Sequence, residues 1–280
     1  MSLTSTQALL DAAVRRQRGV GAFNVIHLET AEAIVSAAET SGLPVILQIS
    51  QNCVKYHGSF TPIARAMLAI AEESTATVAV HLDHAEDPDL AYRAIDSGFG
   101  SVMYDGSALS YAQNVETTRR VVEYARATET LVEAELGEVG GKNKPHDPGV
   151  RTDPTEAREF VAETGVGSLA VAVGSSHAMT ERVAAIDLDL IASLSASVPV
   201  PLVLHGSSGV SDEQLVLGIR AGLTKINVST HLNAVFSGEV RRYFAENPEV
   251  VDSRRYIAAG RSSLSAEAQR LLELFERTGQ

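Results

Sequence analysis

The chain has one cysteine, Cys53, among 280 residues. That excludes an internal disulfide framework and agrees with a reducing cytoplasm. An isolated thiol of this kind reads as a packed, structural group. Basic charge is also scarce, with 23 Lys and Arg against 35 Asp and Glu and a net charge of −12. This balance argues against nucleic acid or an anionic membrane as partner. Any anionic ligand must then be held by local backbone donors or by a metal. No apolar run approaches the ~20 residues of a membrane span. Met1-Ser2-Leu3-Thr4-Ser5-Thr6 lacks the basic-then-apolar layout of a signal peptide, so a cytoplasmic location is expected.

What is present is an ordinary globular composition, 45% apolar and 21% charged. Eight short apolar or β-branched runs recur: 22–25, 45–50, 78–83, 101–105, 131–137, 168–174, 202–206 and 225–230. Helical patterns lie between nearly all of them, at 30–41, 61–73, 88–97, 113–127, 154–164, 212–221 and 231–247, and a last amphipathic helix is expected over 265–276. Strand–helix alternation implies a parallel sheet with right-handed crossovers. Continuous apolarity within the runs implies that both faces are covered. Eight units point to an α/β fold of the (β/α)8 TIM-barrel type, a single domain over 1–280 with a C-terminal helical tail. The segment 137–149, punctuated by Gly137, Gly140, Gly141 and Gly149, reads as a flap over the barrel mouth.

The polar residues fall in the last half of the strands: Asn24, Ser50, Asp83, Asp105, Glu135, His205, and Asn227 with Ser229. In such a barrel the C-terminal rim gathers the reactive side chains. His84, His177 and His205 sit at or just beyond the ends of strands 3, 6 and 7. Three imidazoles on one rim can hold a divalent metal and leave a coordination position open. Asp83, beside His84, supplies a proton-transfer group within reach. Asp105 and Glu135 would be costly as isolated buried carboxylates. They either hold a second metal or fix the tautomers of the ligand histidines. Glu133 shares the face of Glu135 and reads as an outer partner, whereas His81, His27, His57 and His231 read as structural. An anion site is expected where strand 7 runs into Gly206-Ser207-Ser208-Gly209 and strand 8 into Asn227-Val228-Ser229-Thr230. Small residues and helix N-termini there offer backbone N–H groups.

These segments resemble the class II, metal-dependent ketose-bisphosphate aldolases, the fructose- and tagatose-bisphosphate aldolase family. The match extends over Ala22-Phe23-Asn24, His81-Leu82-Asp83-His84, Asp105-Gly106-Ser107, Glu133-Ala134-Glu135-Leu136-Gly137 and Gly140-Gly141. It continues through Val173-Gly174-Ser175-Ser176-His177, His205 to Gly209, and Lys225 to Thr230. The resemblance implies a catalytic zinc on His84, His177 and His205, with Asp83 as acid/base at the substrate C4 hydroxyl. It implies a second divalent position at Asp105 and Glu135, as in part of the family. Gly206, Ser207, Ser208 and Asn227, Val228, Ser229 and Thr230 would hold the dihydroxyacetone-phosphate end, with a monovalent cation (Na+ or K+) nearby. Asn24 and Ser50 are candidate substrate contacts, Ser50 because it resembles a serine of the fructose-specific members. A homodimer or homotetramer acting on a small sugar phosphate is implied, fructose 1,6-bisphosphate before tagatose 1,6-bisphosphate.

Two departures from the family pattern stand out. Ala178 follows His177 where the family commonly has glycine, and Gly140-Gly141 is followed by Lys142-Asn143-Lys144-Pro145-His146-Asp147. Asp147 is the nearest acid and the candidate for the triose-phosphate carbon. A Schiff-base enzyme on the same barrel needs an interior lysine near the C-terminal end of a strand. Lys55, Lys142 and Lys144 read as loop residues, and Lys225 as the first residue of strand 8, at the wrong end. A barrel metallohydrolase would have paired histidines on strand 1, where Asn24 stands. A non-catalytic sugar-phosphate or metal binder is the alternative from another class.

Overall fold

Runs dominated by Val, Ile, Leu and Ala form strands that are buried on both sides. The computed structural model describes residues 3–137, 151–175, 182 and 184–276. Its strands are β1 (Val20–Asn24), β2 (Val45–Ser50), β3 (Val78–Ala85), β4 (Ser101–Tyr104), β5 (Leu131–Glu135), β6 (Ser168–Ala170), β7 (Leu202–Leu204) and β8 (Leu223–Val228). They pair in sequence order as a closed, parallel barrel, β8 returning to β1 through Val20–Lys225 and Phe23–Val228. Closure removes the sheet edges that would otherwise invite pairing with other chains. The (β/α)8 expectation is therefore met.

The helices are α1 (Thr6–Arg16), α2 (Leu28–Ser41), α3 (Gln51–His57), α4 (Thr61–Glu73), α5 (Pro88–Asp96), α6 (Tyr111–Ala125), α7 (Pro154–Thr164), α8 (Leu188–Ser197), α9 (Asp212–Ala221), α10 (Thr230–Glu246) and α11 (Ser253–Glu276). None is long and apolar enough to cross a membrane. Helix α3 is too short to show a helical period; Ser50 Oγ caps it by accepting from Cys53 N at 3.2 Å, and Gly58 ends it at φ 70°. The tail helix begins twelve residues before the expected Ser265. Gly260 lies inside it because a Cβ there would stand 2.7 Å from the Phe236 ring of α10. Cys53 is buried, its thiol against Ile26 O, and burial pushes its pKa up. It is a packed group, as expected.

Inside the barrel the two-residue strand period stacks three levels. At the N-terminal end Val20, Ala22, Ile46, Ala79 and Leu131 form one apolar cluster with Leu9, Leu10 and Ala13 of α1, which closes the bottom. The next level carries Gln48, His81, Glu133 and Lys225, all with no measurable exposure. The third, at the rim, carries Asn24, Asp83, Asp105, Glu135 and Asn227, with His205 just past β7. Lys225 corrects the sequence reading: β8 opens at Leu223, so Lys225 is its third residue, not its first, and is fully buried.

An ion-pair group ties α9, α10 and α11 together: His231–Glu267 at 2.6 Å, Arg270–Glu267 at 2.7 Å and Arg270–Asp212 at 2.5 Å. Burial disfavours the Glu267 carboxylate, but hydrogen bonds from His231 and Arg270 outweigh it and hold its pKa at about 2, against 4.5 unperturbed. A depressed carboxyl pKa contributes stability that is complete above the unfolded value and is lost as pH falls through the folded one. Between pH 4.5 and 2 the wild type should therefore lose stability more steeply than Glu267→Gln. The difference should be about 1 kcal/mol, the scale of a partly exposed pair, measured by urea unfolding at each pH.

Candidate active site

In a regular strand Asp83 and His84 would face opposite sides of the sheet. They do not, because the β3–β4 register shifts between Leu82 and Ala85 and His84 takes φ +49°. A bulge with a left-handed residue re-aims one side chain, and both residues reach the mouth. Asp83 is buried and its two oxygens are served separately, Oδ2 by Asn24 Nδ2 at 3.2 Å and Oδ1 by Asn227 Nδ2 at 3.3 Å. Burial alone would raise its pKa. The charges of His84, His205 and Lys225 and the Asn24 hydrogen bond outweigh burial and lower it, so the carboxylate is ionised and able to accept a proton. Gln48, which the sequence reading passed over, donates Nε2–H to Asn24 Oδ1 at 2.8 Å. That bond decides which end of the Asn24 amide meets Asp83. Its only sequence signal is a polar residue inside Val-Ile-Leu-Gln-Ile-Ser, two positions before Ser50.

His84 Nδ1 lies 2.7 Å from Asp105 Oδ2, and His205 Nε2 lies 3.0 Å from Glu133 Oε1. Ionised carboxylates only accept, so each of those ring nitrogens carries the proton. The opposite nitrogens, His84 Nε2 and His205 Nδ1, face each other at 2.9 Å. Two lone pairs at that distance require a cation between or beside them, a proton or a metal. Burial lowers the His84 pKa, yet Asp83, Asp105 and Glu135 overcome it and lift it to about 9. Asp83, His84 and His205 bring one ligand atom each within 4.8 Å of one another, and so do His84, Asp105 and Glu135. The donor set, two imidazoles aligned by carboxylates beside a third acid, fits a divalent metal. Of the two roles open to Asp105, the structure favours alignment of His84. Its Oδ1 is already taken by Ser107 Oγ at 2.6 Å and Ser107 N at 3.2 Å. His177, Asp147 and the expected flap from residue 138 onward lie outside the described residues.

A cavity of about 230 Å³ opens over these groups. Its wall opposite Asp83 is Gly206, Ser207, Ser208, Ser229 and Thr230, and Ser50 and Asn52 of the α3 N-terminus form the near side. Gly206 takes φ 67°, which a residue with a Cβ would resist, and turns the chain into a short 3-10 turn at Ser207–Gly209. Ser207 Oγ donates to Asn227 O and Ser208 Oγ accepts from His231 N, fixing this turn against the first residues of α10. The result is an anion cradle of small residues and a helix N-terminus. Val228 is the exception among the expected contacts: its side chain packs in the hydrophobic core, not in the cavity. Asn52 was not singled out from sequence; it is an exposed helix residue that only the folded cavity gives a role. His57 Nε2–H donates to Ile26 O, and His231 pairs with Glu267. The structural reading of both stands.

The chain is similar to known proteins along nearly its whole length. The family model described as class II fructose-bisphosphate aldolase matches residues 4–280. The fructose-bisphosphate aldolase of Geobacillus stearothermophilus is 38% identical over 270 residues, 95% of this chain and 94% of that protein. Among solved structures, the YdjI aldolase of Escherichia coli K12 superposes with TM-score 0.85 at 29% identity, covering 98% of this chain and 97% of that one. A putative fructose-1,6-biphosphate aldolase of Coccidioides immitis superposes equally well, TM-score 0.85 at 28% identity, over 98% and 96%. With a match along nearly the whole sequence and a metal-competent histidine pair beside an anion cradle at the barrel mouth, the chain belongs to the class II fructose-bisphosphate aldolase family.

Proposed function

We propose that this metal-dependent aldolase cleaves fructose 1,6-bisphosphate reversibly to dihydroxyacetone phosphate and glyceraldehyde 3-phosphate, with zinc on His84, His177 and His205. The observation that carries the reading is Asp83. It is a buried, ionised carboxylate held by two amides beside two imidazoles whose cavity-side nitrogens lie 2.9 Å apart. When bound, a divalent metal supplies the positive charge that stabilises the anion left on the triose-phosphate fragment. Asp83 accepts the C4 hydroxyl proton as the C3–C4 bond breaks, its orientation set by Asn24 and Asn227. The Gly206–Ser208 turn and the α10 N-terminus hold the phosphate of that fragment, so the reacting bond stays in register with Asp83. Asp147 is assigned to the triose-phosphate carbon, and Asp105 with Glu135 to the alignment of His84. Assembly as a homodimer or homotetramer is part of the same reading.

Fructose and tagatose bisphosphates differ at C4, the carbon whose hydroxyl meets Asp83. The equal superposition on YdjI aldolase makes specificity within the family the point to test. Initial rates with both sugars, read by dihydroxyacetone phosphate release, should give the higher kcat/KM for fructose 1,6-bisphosphate. The reverse order would reassign the substrate to tagatose 1,6-bisphosphate, and turnover of neither would leave a sugar-phosphate binder.

A further inference from the structure

Behind the anion cradle, a group of ion pairs meets the turn at both of its ends. The backbone N–H of His231, second residue of α10, donates to Ser208 Oγ at 3.1 Å. The His231 ring is itself held: Nε2 lies 2.6 Å from Glu267 Oε1 of α11, and Arg270 donates to the same carboxylate at 2.7 and 2.9 Å. Arg270 also pairs with Asp212, the first residue of α9. Past the turn, Arg182 Nε donates to Val210 O at 2.8 Å, while its Nη2 lies 2.6 Å from the same Asp212. Glu267 and Asp212 thus join His231, Arg270 and Arg182 into a ring that runs from one end of the cradle turn to the other.

The two serine hydroxyls of the turn use their protons differently. Ser207 Oγ donates to Asn227 O, so its proton stays inside the protein. Ser208 Oγ accepts from His231 N. Among the described residues no acceptor takes the Ser208 proton, which is left for the cavity that Ser208 lines. A hydroxyl that already accepts one bond is a stronger donor of the next, and a phosphate oxygen is a strong acceptor for it. The direction of that donor depends on where the His231 N–H points. A backbone N–H in the first turn of a helix has no partner within the helix, so α10 alone does not hold it on Ser208. The side-chain link from His231 to α11 does.

We infer that Glu267 is a positioning residue for the phosphate cradle: by holding the His231 ring against α11, it keeps the His231 N–H on Ser208 and the Ser208 hydroxyl aimed at the bound phosphate. The inference rests on the phosphate role proposed above for the Gly206–Ser208 turn. A partly exposed ion pair ordinarily adds only a little stability. This one differs in what it reaches. Arg261 pairs with Glu32 at 2.7 Å and ties the same helix α11 to α2, without bonding the cradle, and so serves as its control.

The test compares wild type with Glu267→Ala, Glu267→Gln and Arg261→Gln. It measures the dissociation constant of inorganic phosphate by calorimetry, and kcat and KM for fructose 1,6-bisphosphate. Loss of binding shared by ground and transition states raises KM and leaves kcat unchanged. Glu267→Ala should therefore raise KM and the phosphate dissociation constant together, about fivefold, the scale of one hydrogen bond, with kcat unchanged. Glu267→Gln, whose amide oxygen still accepts from His231, should recover most of both. Arg261→Gln should cost comparable thermal stability and move neither constant. Unchanged constants in Glu267→Ala, or an equal rise in Arg261→Gln, would overturn the inference. If Glu267→Ala does not fold, His231→Leu takes its place with the same two outcomes, because it keeps the backbone N–H and loses the ring contact. If fructose 1,6-bisphosphate is not turned over, phosphate binding decides alone. Failure of the cradle reading itself looks different: Ser208→Ala would then bind phosphate as the wild type does, or the wild type would not bind it, and the inference would fall with that reading.

Discussion

Asp83→Ala is expected to lower kcat about 10²-fold or more, the scale of a lost general acid/base, while the protein keeps its metal. The size of the effect follows from what surrounds the carboxylate. Asn24 and Asn227 each donate to one oxygen, and neither can accept a hydroxyl proton through the nitrogen that faces Asp83. Gln48 locks Asn24 in that orientation. Removing the carboxylate leaves, beside the two amides, only the His205 ring at 3.2 Å from Asn227 Nδ2, a group the proposed site uses as a metal ligand. Asp83 also lies within 4.8 Å of the histidine ligand atoms, so metal content must be measured on the same preparation. Near-normal kcat with unchanged metal would sink the acid/base assignment, and loss of metal would make Asp83 a ligand.

The second large effect is expected from the metal itself. EDTA should abolish cleavage and Zn2+ or Co2+ should restore it, whereas borohydride with substrate should trap nothing. His205→Ala should weaken metal binding by more than the 10–100-fold that accompanies loss of an outer partner, because it removes a ring nitrogen already aimed at the cavity. An imine mechanism needs an amine able to attack. Among the described residues, Lys55 lies exposed on α3 and the Lys225 ammonium is buried against Glu133 and His81. A borohydride-trapped adduct would overturn the metal mechanism.

The barrel was legible in the sequence because burial on both faces leaves uninterrupted apolar runs, and β2 and helices α4, α7 and α9 coincide with the expected spans. Strand β6 shows where such runs mislead. Val171, Ala172 and Val173 continue the apolar stretch, and Val171 N still bonds Val203 O of β7, but the carbonyls of Ala172 and Val173 accept from Thr152 N and Asp187 N rather than extending a strand. At the rim, the residue types were visible and their aim was not. Strict alternation would have turned His84 away from Asp83; the bulge that reverses it depends on a non-glycine residue at positive φ. Strand 8 starts two residues before the expected Lys225, so Lys225 is not its first residue but lies within it, buried beside Glu133. Nothing in a linear sequence pairs it with Glu133, 92 residues away. Only closure of the barrel sets β5 and β8 across from one another.

That closure also fixes when the site can exist. Asp83 is made early, but one of its two amide donors is Asn24 on β1 and the other is Asn227 on β8. The strand that brings Asn227 beside β1 is the last of the eight, and α11, still further along the chain, packs over β1, α2 and α10. At 5–20 residues per second of synthesis, Asn227 is made roughly 10–40 s after Asn24. The nascent chain therefore carries Asp83 and His84 with Asn24 but without His205 and Asn227, and the complete pocket first becomes available to metal when β8 closes the ring.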